Sequence, residues 1–289
     1  MRDYLGFAGK TCVVTGARTG VGRATAEMLV DMGAKVYAMG RHMGEIPGME
    51  AFILVDLCDK ASIDHAFTQL PEQIDYFFGC AGAFGDTNDF MTVTKTNYLS
   101  NKYMIEQYLS TRMVDGGAIG FVTSNNGRRW EEPEKMDAYL PTIQAEGWDG
   151  TIAQLVESGL AENSGMAAYD FSKRCMNYYA ALAAYELGKR HIRVNCVLPG
   201  PIHTKMLQSA MDNMGYTPEQ LANEILVNAG RIAEPEEIAG PLLALSSNLA
   251  SFVSGTHVFA DYGLDAYITI GKKEDIIHGT EQPLHRNDQ

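Results

Sequence analysis

Tyr169 and Lys173 stand four residues apart in Tyr169-Asp170-Phe171-Ser172-Lys173, early in a run over 167–188 whose pattern predicts a helix. Four residues make about one helical turn, so both side chains share a face. A free phenol titrates near pH ~10, and an adjacent ammonium favours its ionised form. Bringing it to roughly 7 takes about 4 kcal/mol, which two nearby cations in a partly dry cleft can supply. Such a phenol gives a proton to a carbonyl oxygen, or takes one from an alcohol, near neutral pH. A half-buried tyrosine with a lysine reaching to solvent is the plainer reading of the same string. Ser124 follows the apolar run 118–122 and would stand at a strand's carboxyl end, where a hydroxyl can steady a developing alkoxide or simply cap the strand. Asn97, within a helical pattern over 95–113, marks a kink or a held water, and a relay water near Lys173 is the expectation.

These residues need a scaffold. Apolar runs at 11–14, 35–39, 52–55, 74–78, 118–122, 192–197 and 256–260 read as strands. Helical patterns at 21–32, 60–69, 95–113, 167–188 and 235–247 alternate with them. Near-continuous apolar strands alternating with helices imply an α/β single domain, a Rossmann-type doubly wound parallel sheet of about seven strands with helices on both faces. The link 41–50 is too short for a crossover helix. The segment 125–166 is the largest insertion, and 271–289 is a polar, unpatterned tail containing Lys272, Lys273, His278, His285 and Arg286.

Between the first strand and its helix lies Thr15-Gly16-Ala17-Arg18-Thr19-Gly20-Val21-Gly22. Gly16 suits a tight turn, Gly20 a close backbone approach to a pyrophosphate, and Gly22 tight helix packing. Anions are favoured at the helix N-terminus that follows. Gly40 stands at the end of the second strand, where a carboxylate would hold a ribose 2′-hydroxyl, and Arg41 follows it. A guanidinium and the missing carboxylate favour NADP(H), with NAD(H) as the alternative and a solvated loop charge as the plain reading of Arg41. Asp56 and Leu57 would reach the adenine, and Cys80-Ala81-Gly82 would floor the adenosine side.

Composition limits the roles open to the chain. It has 289 residues, 46% hydrophobic and 20% charged, with a net charge of −13. Such a polyanion does not bind phosphate backbones non-specifically, so no nucleic acid is expected as partner. No apolar run is long enough for a membrane span, and the first residues lack the core of a signal peptide. The five cysteines show no CxxC spacing and the seven histidines no metal-ligand spacing, so reduced thiols, a cytoplasmic location and no metal are expected.

In this order, Gly16-x-x-x-Gly20-x-Gly22, Cys80-Ala81-Gly82, Asn97, Ser124, Tyr169-x-x-x-Lys173 and Arg193-Val194-Asn195 through Pro199-Gly200 make the chain resemble a short-chain dehydrogenase/reductase over 8–265. Asparagine is commoner in that family where Cys80 stands. The resemblance implies a catalytic tetrad of Asn97, Ser124, Tyr169 and Lys173, with Lys173 also binding the nicotinamide ribose. It implies a cofactor cradle of Gly16, Arg18, Thr19, Gly20, Val21, Gly40, Arg41, Asp56, Leu57, Cys80, Ala81, Gly82, Tyr169, Lys173, Pro199, Gly200, Ile202 and Thr204. The Ile202 backbone and Thr204 hydroxyl would hold the carboxamide. Within the family the chain resembles the 3α-hydroxysteroid dehydrogenase/carbonyl reductase group, which implies a homo-oligomer, a tetramer or dimer. Enoyl reduction is disfavoured, because that branch spaces its tyrosine and lysine more widely.

The expected substrate is therefore a small hydrophobic alcohol or ketone, a hydroxysteroid or bile acid first, with a smaller carbonyl as alternative. A non-catalytic nucleotide sensor would have no use for the Tyr–Lys pair. Ser124, Asn126, Trp130, Tyr169 and Met206 are expected at the substrate. The insertion, with Trp130, Met136, Tyr139, Leu140, Trp148, Ile152, Leu155 and Val156, is expected as a wall of the cleft, a surface excursion or subunit contact being the alternative. Met206, Leu207, Met211 and Met214 would form a flexible apolar lid or an ordinary helix core. The tail stays open between disorder, cover for the cleft and contact with a second subunit.

Overall fold

Strands form where the apolar runs predict them. In this computed structural model, which describes residues 3–226, 228–275 and 284–287, they are β1 (Thr11–Thr15), β2 (Lys35–Gly40), β3 (Ala51–Leu54), β4 (Ile74–Gly79), β5 (Met113–Val122), β6 (Arg193–Pro199) and β7 (His257–Ala260). All pair in parallel, in the order β3-β2-β1-β4-β5-β6-β7. The order reverses between β1 and β4, and in such sheets the crevice at the carboxyl ends of those strands is where ligands bind.

The pleat sorts side chains to two faces. Cys12 and Val14 of β1 pack on α1 (Gly20–Asp31) and the late helix Pro235–Ser246, with Val21, Ala24, Leu242 and Leu243. Val13 faces the other layer, where α2 (Lys60–Phe67), the helical rod 90–112 and the helix Gly165–Leu187 cover the sheet with Phe67, Leu99, Phe171 and Met176. The rod, α3, begins earlier than its pattern predicts, at Phe90. It carries two π-helical turns, Lys95–Leu99 and Ile105–Leu109. The link 41–50 has no helix, as its length predicts.

The insertion folds into two helices, α4 (Pro133–Gln144) and α5 (Gly147–Glu157), ahead of α6 (Gly165–Leu187). Then follow α7 (Lys205–Met214), α8 (Pro235–Ser246) and α9 (Leu264–Thr269), the last unforeseen from sequence. A satellite cluster of Met211, Leu221, Leu226, Ile232, Leu264 and Ile268 joins α7 and its trailing segment to α9. No helix among the described residues is long and apolar enough to cross a membrane. All five cysteines are unpaired.

Candidate active site

The glycine turn is built by exclusion. Gly16 has φ +68°, and a Cβ there would stand 2.8 Å from the Ala81 backbone. Gly20 has φ +58°, and its Cβ would come within 3.2 Å of the Thr204 methyl. A Cβ on Gly22 would meet the Gly16 carbonyl oxygen at 2.5 Å. All three positions therefore need glycine, for conformation at the first two and for closeness at the third. Thr19 is the N-cap of α1 but offers no side-chain hydrogen bond, which leaves first-turn N–H groups available to an anion. Thr15 Oγ1 accepts from the N–H groups of Cys80 and Ala81, both at 3.2 Å, and so ties the ends of β1 and β4 together. The Cys80 thiol faces Thr25, and burial pushes it up to about 12.

At the end of β2, Gly40 and Gly44 lie against the Phe52 ring, and the stem of Arg18 runs beside Gly44. Arg18 and Arg41 are both exposed on this lip. Asp56 is exposed, and its Oδ1 accepts from the Cys58 N–H at 2.9 Å, while Leu57 is buried. Across the crevice, Gly200 N–H donates to Ala260 at 3.2 Å, Ile202 pairs with Ala233, and Thr204 Oγ1 caps α7 by accepting from Leu207 N at 3.2 Å. These residues fit a dinucleotide: a side-chain-free turn, open helix N–H groups and two cations at the far end.

Ser164 caps α6, accepting from Ala167 N at 3.2 Å. That fixes where the helix starts and which face carries Tyr169 and Lys173. The Lys173 Nζ lies 5.4 Å from the centre of the Tyr169 ring. It also lies 3.8 Å from the position a Cβ on Gly82 would take, beside Asn97 Oδ1 and the Met206 methyl, both at 3.6 Å. Burial pushes the Tyr169 phenol up to about 12, and the nearby Ser124 hydroxyl offsets this in part by favouring the ionised form. Burial likewise brings Lys173 down to about 8. The expectation was of two cations, and among the described residues only one is at hand: Lys173 Nζ faces the ring, and burial holds the phenol above its ordinary value. Additional positive charge in the cleft is needed to lower the phenol.

Asn97 sits in the first π-helical turn. It clamps Ala83, accepting from its N–H at 2.8 Å and donating to its carbonyl at 2.9 Å, and also donates to Ser172 Oγ at 3.1 Å. Asn126 N–H donates to Ser124 Oγ at 3.1 Å, and its amide donates to Asp170 at 2.8 Å, so it stands beside both Ser124 and the helix of Tyr169.

Trp130 is not in this group. Its ring packs on Tyr178 and His257, with centroids 6.2 and 4.8 Å away. Tyr178 comes nine positions after Tyr169, roughly two and a half turns, and so projects from the opposite side of α6. The insertion follows the same course: Tyr139, Ile143, Trp148 and Leu155 join the core formed with Tyr98, Tyr103 and Tyr179 on the outer side of α3 and α6. These four side chains do not wall the cleft, because packing against two helices buries them better than a half-open site would. The described part of the tail docks there too. Asn287 N–H donates to Ser158 at 2.8 Å, and Arg286 donates to the Asp137 carbonyl at 2.8 Å. His278 and the Met214 side chain lie outside the described residues.

The aromatic that does face Tyr169 is Phe84, edge-on at 4.7 Å. Sequence reasoning missed it, although it comes two residues after the Cys80-Ala81-Gly82 floor. A second omission is Asp86, which accepts from Ser209 Oγ and, at 3.1 Å, from Asn213 Nδ2, both on α7. Met206 lies at the cleft as expected, whereas Leu207 and Met211 pack into the satellite cluster. A separate cavity of about 420 Å³ opens beyond β7, lined by Leu226, Tyr262, Leu264 and Tyr267 among others, and none of the tetrad residues lines it. No metal-binding cluster exists among the described residues.

Comparison with known proteins gives the chain a family and a fold. Residues 10–142 match the family model described as short chain dehydrogenase, and 135–265 match one described as enoyl-(acyl carrier protein) reductase. The chain is 31% identical over 259 residues to coniferyl-alcohol dehydrogenase of Pseudomonas sp. (strain HR199 / DSM 7063), covering 88% of this chain and 96% of that protein. It is 26% identical over 258 residues to 3-alpha-hydroxysteroid dehydrogenase/carbonyl reductase of Comamonas testosteroni, covering 88% and 96%. Among solved structures, the 3-alpha-hydroxysteroid dehydrogenase of Pseudomonas sp. B-0831 complexed with NADH shares the fold, with a TM-score of 0.69 at 21% identity, covering 91% and 99%.

Proposed function

The chain belongs to the short-chain dehydrogenase/reductase family, and from that premise we propose that it interconverts a secondary alcohol and a ketone with NADP(H), using Tyr169 as general acid/base. The observation that carries the reading is the meeting of the Ser124 hydroxyl, the Tyr169 phenol and Lys173 beside the glycine turn, at the carboxyl edge of the sheet. When bound, the nicotinamide supplies or accepts the hydride. Ser124 holds the substrate oxygen and Tyr169 moves the proton at that oxygen. Lys173 binds the nicotinamide ribose and adds positive charge near the phenol. Asn97 keeps the Ala81–Ala83 floor in place through its two bonds to Ala83.

The NADP(H) preference rests on Arg18 and Arg41 on one lip and on Gly40 in place of a carboxylate. NAD(H) is the alternative, and one structural relative was solved in complex with NADH. A hydroxysteroid or bile acid is the first substrate reading, carried by the likeness to the Comamonas enzyme. A smaller ring-bearing alcohol is the second. It is favoured by the insertion packing away from the cleft, by Phe84 as the aromatic beside Tyr169, and by the relative that acts on coniferyl alcohol. A homo-oligomer belongs to the proposal, supported by Leu249 and Phe252, which are 66% and 103% exposed close to the edge strand β7. So does a cytoplasmic location, which suits five unpaired thiols. The test is nicotinamide reduction by the purified protein with NADP⁺ and with NAD⁺, across steroid and aryl alcohols. Turnover preferring NADP⁺ supports the proposal; no turnover of any alcohol or ketone with either nucleotide counts against it.

A further inference from the structure

Ser124 begins a tight turn. Gly127 N–H donates to the Ser124 carbonyl at 2.9 Å, and Arg128 N–H donates to that of Asn125 at 3.1 Å. On one side this turn is seated on α6: the Asn177 amide donates to the Gly127 carbonyl at 2.9 Å, and a Cβ on Gly127 would stand 3.0 Å from the Lys173 carbonyl oxygen. On the other side it ends in Arg128, whose side chain is 2% exposed. That guanidinium pairs with Asp265 of α9 at 3.0 Å and with Asp275 at 3.4 Å. The next residue, Arg129, adopts φ +56° and reaches the other Asp275 oxygen at 3.4 Å. A left-handed arginine persists only where its surroundings fix it.

We propose that Arg128 is a positioning residue for Ser124, clamping the turn that carries the serine to the segment beyond β7. The inference rests on the role given to Ser124 above. Strand β5 and α6 hold the turn of Ser124 from one side. Arg128 supplies the opposing hold, and it draws that hold from α9 and Asp275, neither of which belongs to the sheet. A buried guanidinium with two carboxylates resists displacement, because moving it strands charges in a dry place. The C-terminal segment thereby sets the register of a hydroxyl that must meet the substrate oxygen within hydrogen-bond reach.

The test is a double-mutant cycle between Arg128→Met and Ser124→Ala, reading kcat together with nucleotide affinity and thermal midpoint. The expected result is a fall in kcat of about tenfold or more for Arg128→Met, with nucleotide affinity within about twofold. In the Ser124→Ala background the same change costs less than about twofold, since the hydroxyl it positions is gone. Arg128→Lys, which keeps a cation, recovers part of the loss. An equal fall in both backgrounds overturns the inference and leaves the role of Ser124 standing. Full activity of Ser124→Ala overturns the reading of the site and the inference with it. Should Arg128→Met not fold, Asp275→Asn takes its place in the same cycle, with the same criteria.

Discussion

Burial brings Lys173 down to about 8 from 10.5, so the fold holds this ammonium against a desolvation penalty. The folded value lies below the unfolded one. The penalty is therefore fully present below pH 8 and fades as pH rises from 8 towards 10.5. Lys173→Met should raise stability at pH 7 by about 1–3 kcal/mol while abolishing turnover, and its advantage over the parent should shrink by pH 9.5, as denaturant melts at the two values would show. At the far end of the crevice, Arg41→Ala should weaken NADP⁺ binding about ten- to hundredfold and leave NAD⁺ nearly unchanged in fluorescence titrations. Tyr169, Lys173 and Ser124 were legible because one helical turn and one strand end bring them together whatever else the chain does. Trp130 misled because aromatic content does not say which side of α6 a loop will choose. The depth of the phenol's burial was not legible, because the sequence shows the charge beside it but not what packs over it.

Among the elements, the turn from β1 into α1 and the helix α7 face each other across the crevice, Gly20 touching Thr204. Gly16→Ala should cut nucleotide affinity at least about tenfold, since the new Cβ would strike the Ala81 backbone and suffer a left-handed φ. Isothermal titration with NADP⁺ would measure it. Asp86 joins the loop after β4 to Ser209 and Asn213 on α7 and so latches that helix over the cleft. Asp86→Ala should speed nucleotide release several-fold in stopped-flow displacement, with little change in thermal stability. Strands and helices were readable because the apolar runs within β1, β4, β5 and β6 are nearly continuous. The two π-helical turns of α3 were not, since they reflect how Asn97 and its neighbours pack rather than any local preference. Nor was the latch, because Asp86 and Ser209 are 123 residues apart.

At the scale of the whole molecule, the insertion and residues 284–287 of the tail form an outer layer over α3 and α6. Trp148 is 6% exposed and packs edge-on against Tyr103 with ring centres 5.6 Å apart. Trp148→Ala should cost about 3–5 kcal/mol of stability yet leave KM for the alcohol unchanged, whereas a cleft wall would alter KM. The doubly wound topology was legible because strand–helix alternation without a linker admits few arrangements. The destination of the insertion was not, since its amphipathic helices suit a cleft or a helix pair equally well, and only tertiary packing chooses.

The account depends most on the Tyr169 hydroxyl moving the proton at the substrate oxygen. The direct measurement is single-turnover oxidation of a substrate alcohol by Tyr169→Phe, followed through nicotinamide absorbance, with nucleotide affinity measured on the same preparation. A loss of about 10²–10⁴ in rate at unchanged affinity is predicted. A rate within about twofold of the parent would contradict it.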